Sequence, residues 1–324
     1  MRYTFKTYIA DGREYFLFGE EGAETKKDFP FSESLMHVLD IDFERLDMIC
    51  KRMDHAWIEL CSEREPRYAD IILEELDELA QEHLFFELTR LDWRERLKKA
   101  EEENYANALD LLPHKQISSI PSEIAEYQRK AKEILKLTLD IDIAKDDPRR
   151  PAEKLAAYYL NARRDLDNHH RDLFPFRALS VKFEPTEHGA FSEVQYPESV
   201  YDLIDFFLRE NILREQNWRV CKNCKRYFPM NGRTSAEYCD RPITASGSTC
   251  KDIGATKLWE AKKRGEETFK NYRREYKRRY AWIRLGRWTQ EEFSDWSIRA
   301  QQKKADCDNG NISEEEFAAW LKNS

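Results

Sequence analysis

The sequence predicts a mostly α fold: a helical N-terminal domain with short β-hairpins, then a small α+β module, then C-terminal helices. Three observations carry this. Glycine and proline are scarce, 10 and 11 among 324 residues, so chain breaks are few. Apolar residues recur at three- and four-residue intervals along much of the chain. Four of the seven cysteines lie between residues 221 and 250, where the helical pattern gives way to something smaller and denser.

In order along the chain, residues 1–18 read as a hairpin, because RYTFKTYIA and REYFLF flank Asp11-Gly12, a dipeptide that accepts positive φ. A helix follows with Phe43, Leu46, Cys50, Met53, Trp57 and Leu60 on one face, which makes Cys50 a small core residue. A second helix begins after Pro66 and carries Ile72, Leu76, Leu79, His83 and Phe86 in line. His83 is then a satisfied interior histidine, and Glu74, Glu75, Glu78 and Glu82 form a solvated face. Pro113 to Pro121 reads as a loop, with Ser122 capping a helix that bears Ile124, Tyr127, Ala131, Ile134 and Leu135. A further loop at 146–151 precedes a helix near 152–166. Residues 179–196 alternate around His188-Gly189 and suggest a second hairpin. Residues 198–214 return to helix with Val200, Leu203, Ile204, Phe207 and Leu208 inward, closing an N-terminal domain over 1–215.

The first residues lack a positive region followed by an apolar core, and no apolar run reaches the roughly 18 to 20 residues of a membrane span. A cytoplasmic, membrane-free protein is the expectation, and reduced clustered cysteines then point to metal ligands. The net charge of −8 hides an asymmetry: residues 221–304 hold 21 Lys and Arg against 10 Asp and Glu, a net of +11, leaving −19 for the rest.

The cysteines are spaced Cys221-x2-Cys224-x14-Cys239-x10-Cys250. A CxxC turn places two thiolates on one side of an ion, and zinc takes four such soft ligands tetrahedrally. The stretch between, KRYFPMNGRTSAEY, reads as a hairpin turning at Asn231-Gly232, and Cys250 stands before a helical run. Knuckle, hairpin and helix are the order of a treble-clef finger, placed at 216–265. Lys222, Lys225, Arg226 and Lys251 would offset the charge of the thiolates. A redox CxxC should follow a strand and open a helix, whereas here an aromatic strand comes after it. Four cysteines leave no open position, so one structural zinc ion is expected, and no chemistry at it.

WRVCKNCKRYF, YC and TCKDIGA, followed by a helix rich in Tyr, Arg and Lys and by two EEF helices, resemble an uncharacterised bacterial family of unknown function. More loosely, the arrangement is similar to the CGNR-type zinc fingers that end some bacterial transcription regulators, although the GNR residues are absent. That resemblance implies the architecture of a variable N-terminal domain with a C-terminal finger.

Residues 266–324 read as a basic helix and a helical hairpin. Over 268–285, Phe269, Tyr272, Tyr276, Tyr280 and Ile283 share one face. Lys270, Arg273, Arg274, Lys277, Arg278, Arg279, Arg284 and Arg287 are the candidate nucleic-acid contacts, DNA or RNA, with the tyrosines available to stack on unpaired bases. The echo of Thr289-x-x-Glu292 in Ser313-x-x-Glu316 marks two capping boxes.

Catalytic signals are thin. Arg164 and His169 match the Arg-x4-His spacing of HEPN-type ribonucleases, which would place Arg164 on the phosphate and His169 as acid or base. A polar helix end is the plainer account of that pair. Nucleases of the His-metal type need a histidine in the finger, and residues 189–324 have none. Residues 305–316 mimic half of a calcium loop but lack hard-oxygen ligands at its first positions. The sequence thus favours a non-enzymatic zinc-finger protein that binds nucleic acid in a regulatory or accessory role. A protein-interaction adaptor is the second reading, and a metal-independent ribonuclease the third.

Overall fold

The computed structural model describes residues 3–164, 173–187, 189–232, 234–243 and 247–324, leaving aside the side chains of 163, 164, 255, 257, 258 and 260–266. The fold is mostly α with short β elements. Two compact units divide it, Met1–Cys221 with Lys225–Ala236, and Lys222–Cys224 with Glu237–Ser324.

The first unit begins with β1 (Tyr3–Ala10) and β2 (Arg13–Glu20), joined at Asp11-Gly12, where both φ angles are positive at 49° and 72°. The hairpin expected over 1–18 forms, and a third strand extends it to a meander. β3 (Ala23–Pro30) pairs with β2 from Arg13↔Pro30 to Glu20↔Ala23. Its residues AETKKDFP are nearly all exposed, so no apolar alternation marks it as a strand. The second hairpin, β4 (Val181–Pro185) and β5 (Phe191–Gln195), joins β1 through Thr7↔Gln195, giving one sheet of order β3-β2-β1-β5-β4.

Helices α1 (Glu33–Val38), α2 (Phe43–Glu63), α3 (Pro66–Glu82), α4 (Phe86–Glu102), α5 (Ala108–Leu111), α6 (His114–Ser118), α7 (Ile120–Thr138), α8 (Pro151–Arg164) and α9 (Val200–Leu213) complete this unit together with a short hairpin, β6 (Trp218–Val220) and β7 (Tyr227–Pro229). Asp42 starts α2 by accepting from the amides of Glu44 and Arg45. The buried stripe of α2 is Leu46, Ile49, Cys50, Met53, Ala56 and Leu60, while Phe43 is exposed. On α9, Val200, Leu203, Ile204, Phe207 and Leu208 are buried as expected. The Phe207 ring lies 5.5 Å from both Phe16 of the sheet and Phe85.

Three local expectations change. The Pro113–Pro121 segment contains α6, and α7 starts at Ile120 with Pro121 in its first turn, where a missing N–H costs nothing. Ser122 does not cap that helix, since its hydroxyl donates to the Ser119 carbonyl. Glu75 is not solvated; it is buried on α3 and takes an ion pair from Arg52.

His83 follows the end of α3 and is buried. Its Nε2 donates to the Ser34 carbonyl at 3.0 Å while Nδ1 accepts the Phe85 amide at 3.1 Å, which fixes a neutral tautomer. Burial pulls its pKa down to about 3. Beside it, the buried Glu14 carboxyl accepts the amides of Ser32 (2.7 Å) and Ser34 (3.0 Å) at the start of α1. There burial outweighs those bonds and raises the pKa to about 7. The Ser32 hydroxyl donates to Asn211 Oδ1 at 2.7 Å, and Trp218 Nε1 donates to the same oxygen at 2.9 Å. These buried bonds tie the first strand of the small hairpin to α1 and α9.

The second unit holds α10 (Cys250–Arg284), α11 (Gln290–Asp308) and α12 (Glu314–Asn323). The finger helix and the basic helix, read from sequence as separate, are one 35-residue helix. Capping boxes open all three helices, at Thr249/Asp252, Thr289/Glu292 and Ser313/Glu316. Phe293, Trp296, Ala300, Cys307, Phe317 and Leu321 form the core, with Tyr272, Tyr276 and Ile283 of α10 packed against it. Among the described residues no helix is long and apolar enough to cross a membrane.

Candidate metal centre

The CxxC sits at the tip of β6 and β7, which pair from Trp218↔Pro229 to Val220↔Tyr227. Backbone bonds hold β6 in place: Trp218 N–H donates to the Leu139 carbonyl at 3.0 Å, and Ile141 N–H donates to that of Trp218 at 3.1 Å. The Arg219 guanidinium meets Asp142 at 2.8 Å and the carbonyls of Thr234 and Ala236 at 3.0 and 2.8 Å. Between the strands, Cys221 N–H donates to the Arg226 carbonyl and Lys225 N–H to that of Cys221, at 2.9 and 3.0 Å. Closing this tight turn puts Lys225 at φ 62°, the left-handed region that glycine occupies more cheaply.

The remaining ligands come from the loop and from α10. Cys250 is the first residue of α10; its N–H donates to the Arg241 carbonyl at 3.0 Å, and Lys251 N–H to that of Cys239 at 3.1 Å. The Sγ atoms of Cys221, Cys224, Cys239 and Cys250 all lie within 4.8 Å of one another. Cys224 Sγ and Cys239 Sγ are 3.7 Å apart. A tetrahedron with metal–sulfur bonds of about 2.3 Å has edges of about 3.8 Å, whereas a disulfide needs about 2.05 Å. The spacing therefore fits four ligands around one ion, and no disulfide joins them.

Burial supports the same reading. Cys221, Cys239 and Cys250 are buried and Cys224 partly so. Burial pushes the Cys239 thiol up to about 12, with Arg241 opposing it. Asn223 Nδ2 donates to Cys250 Sγ at 3.5 Å, a bond suited to a charged thiolate. Four sulfurs complete a tetrahedron and leave no position for substrate.

Some expected neighbours act differently. Lys222 pairs with Glu237 at 2.5 Å and Lys251 with Asp240 at 3.5 Å, and Arg241, which sequence spacing did not single out, acts on the Cys239 sulfur. The hairpin expected within 225–238 is replaced by the pairing of 227–229 back onto 218–220. Among the described residues of 230–249 there is only the isolated bridge Pro242↔Thr249. The Tyr238 ring lies instead against Gly254, one turn into α10, where a Cβ would come within 2.3 Å of it.

The eight candidate cations, seven on α10 and Arg287 just past its end, separate. Lys270, Arg273, Arg274, Lys277, Arg278, Arg284 and Arg287 are exposed. Arg279 is not: only 2% of it is accessible, and its guanidinium lies 4.8–5.2 Å from the rings of Trp282, Trp288 and Trp296. Its Nη2 donates to the Leu321 carbonyl at 2.6 Å, so Arg279 is a core residue, removed from the surface set. Arg278 pairs with Glu275 at 2.8 Å. Tyr272 and Tyr276 pack inward, leaving Phe269 and Tyr280 as the half-exposed rings, at 47% and 46%. Arg164 is the last residue of α8, and His169 lies outside the described residues.

Fold and site together define a mostly helical protein with a four-cysteine centre able to hold a metal ion. Residues 178–323, just under half of the chain, match the model of a family of unknown function (DUF6076). No curated protein and no solved structure matches the chain.

Proposed function

We propose that this is a zinc-finger protein that binds nucleic acid, with one structural zinc on Cys221, Cys224, Cys239 and Cys250 and with α10 as the contact helix. The observation that carries the reading is the composition of α10 beyond the finger and of the three residues that follow it. Between residues 268 and 287 the one acidic residue is Glu275, which is buried and paired with Arg278. The exposed surface of that stretch is therefore acid-free, and Lys270, Arg273, Arg274, Lys277, Arg284 and Arg287 stand out from it. Such a surface suits phosphates and gains from counterion release.

The test is fluorescence anisotropy of the metal-loaded protein with labelled duplex DNA, single-stranded DNA and RNA across a salt series. Six neutralised phosphates predict a slope of log K on log salt of about −5 for duplex and about −4 for single strands. Arg273→Glu, Arg274→Glu and Lys277→Glu together should abolish binding without unfolding α10. Metal analysis should find one zinc per chain. Its removal by a chelator should unfold the cysteine segment, read as protease sensitivity, while leaving the core of the first unit intact. Flat binding curves for all three probes at low salt would overturn the reading. An adaptor role, favoured by the exposed Val181, Phe183 and Phe191 on the β4–β5 hairpin, would then take its place.

A further inference from the structure

The surface of α10 is more than a row of charges. Phe269, Lys270, Arg273, Arg274 and Lys277 line one shallow groove, following the i, i+1, i+4, i+5, i+8 spacing of a single helical face. An aromatic ring half-open to water at its edge needs an account, since Tyr272 and Tyr276 of the same stretch pack against the core. The Arg273 guanidinium lies over Phe269, 5.6 Å from its centroid, and eleven residues on, Arg284 lies over Tyr280 at 5.9 Å. Each ring thus has a cation on it, and Lys277 stands between the two pairs. Eleven residues of helix separate them by about 16 Å.

Resting on the nucleic-acid reading above, we infer that this face is built for single-stranded nucleic acid, with Phe269 and Tyr280 as stacking positions for unpaired bases and Lys270, Arg273, Arg274 and Lys277 holding the intervening phosphates. A duplex offers such a helix its phosphates and groove edges, but its base faces are already stacked, so the rings would gain nothing from it. An unpaired base offers a π-face to each ring and a guanidinium-accessible edge beside it. Every base has such a face, so the site should be tolerant of sequence, and RNA and single-stranded DNA share the chemistry.

The test compares wild type and Phe269→Leu for binding to oligo-dT, oligo-U and a duplex of equal length at one salt concentration. Single strands of at least one type should bind about tenfold or more tighter than duplex. Phe269→Leu should weaken single-strand binding roughly five- to hundredfold, the range for losing one stacked base, with an unchanged salt slope. Duplex binding should stay within twofold. Tyr280→Leu should act in the same direction, and helix content read by circular dichroism should not move in either variant. Preference for oligo-U or for oligo-dT would support the inference equally and name the source. Duplex binding as tight as single-strand binding, or binding that survives Phe269→Leu unchanged, would overturn this inference while leaving nucleic-acid binding in place. Loss of binding to all probes in wild type would overturn both.

Discussion

Replacing Gly254 by alanine places one methyl group against the ring that precedes a metal ligand. The new Cβ would lie 2.3 Å from Tyr238 Cδ1, 2.4 Å from Cε1 and 2.7 Å from Cγ. Carbon atoms rest at about 3.5–4.0 Å, so the overlap exceeds 1 Å, and contact at Cγ means the ring must change rotamer to escape. Overpacking of this kind costs about 1–3 kcal/mol, while alanine in place of glycine inside a helix returns about 0.8–1.0 kcal/mol. The net expectation is destabilisation of up to about 2 kcal/mol, together with weaker metal binding because Tyr238 adjoins Cys239. In a Tyr238→Ala background the clash is gone and helix propensity alone remains. There Gly254→Ala should stabilise by about 0.8–1.0 kcal/mol. Competition for the metal with a chromophoric chelator, run as a double-mutant cycle, reads the change because metal binding and folding of this segment are linked. A stabilising Gly254→Ala in both backgrounds would refute the packing of Tyr238 on α10.

Lys225→Gly should tighten metal binding by about 0.5–1 kcal/mol in the same assay, since an L-residue in the left-handed region costs about 1–2 kcal/mol and glycine's greater unfolded freedom takes part of that back. Arg279→Met should destabilise the second unit by about 2–4 kcal/mol, leaving the Leu321 carbonyl without its donor and three indole rings without their cation, whereas Arg273→Met on the surface should stay within about 0.5 kcal/mol; tryptophan fluorescence during denaturation separates the two. Stability of the first unit should depend on pH through His83 and Glu14 in opposite senses. His83 has its folded pKa depressed to about 3, so the unfolded chain takes up the proton first and stability falls as pH drops from about 6.5 toward 3, by up to roughly 5 kcal/mol. Glu14 has its folded pKa raised to about 7, so stability falls as pH rises from about 4.5 to 7, by up to roughly 3 kcal/mol. Of these two groups His83 alone still titrates below about pH 4.5, and His83→Gln should reduce the slope there in a urea titration series.

What could be read in the sequence was what repeats locally. The stripes of α2 and α9, the capping boxes at Thr289 and Ser313, and the four cysteines announce themselves because the responsible residues lie within a turn or a knuckle of one another. What could not be read depends on partners distant in the chain. Strand β3 is invisible because neither of its faces is buried, and the union of the two hairpins pairs Thr7 with Gln195, 188 positions apart. Glu14 and Arg279 look like surface charges until Ser32, Ser34 and Leu321 are brought to them. At the metal centre the ligands were legible, but Arg241 beside the sulfurs and the Tyr238–Gly254 contact were not, since neither has a spacing rule. The continuity of α10 runs across the boundary drawn at 265 and 266, and the helix tolerates Gly265 there at a cost of about 1 kcal/mol.

That continuity has a consequence for how the sequence can vary. A helix of 35 residues, about 52 Å long, fixes the azimuth of every side chain relative to its first residue at 100° per position. Cys250 and the Phe269–Lys277 groove are thus set in angular phase by the number of residues between them. A single-residue insertion there would swing the groove by about 100° around the rod, while a four-residue insertion would return it to within about 40° and lengthen the rod by about 6 Å. Related chains that keep both the fourth cysteine and the cationic groove should differ in this interval by whole turns, with the spacing itself serving as a structural signature even where the intervening residues have drifted.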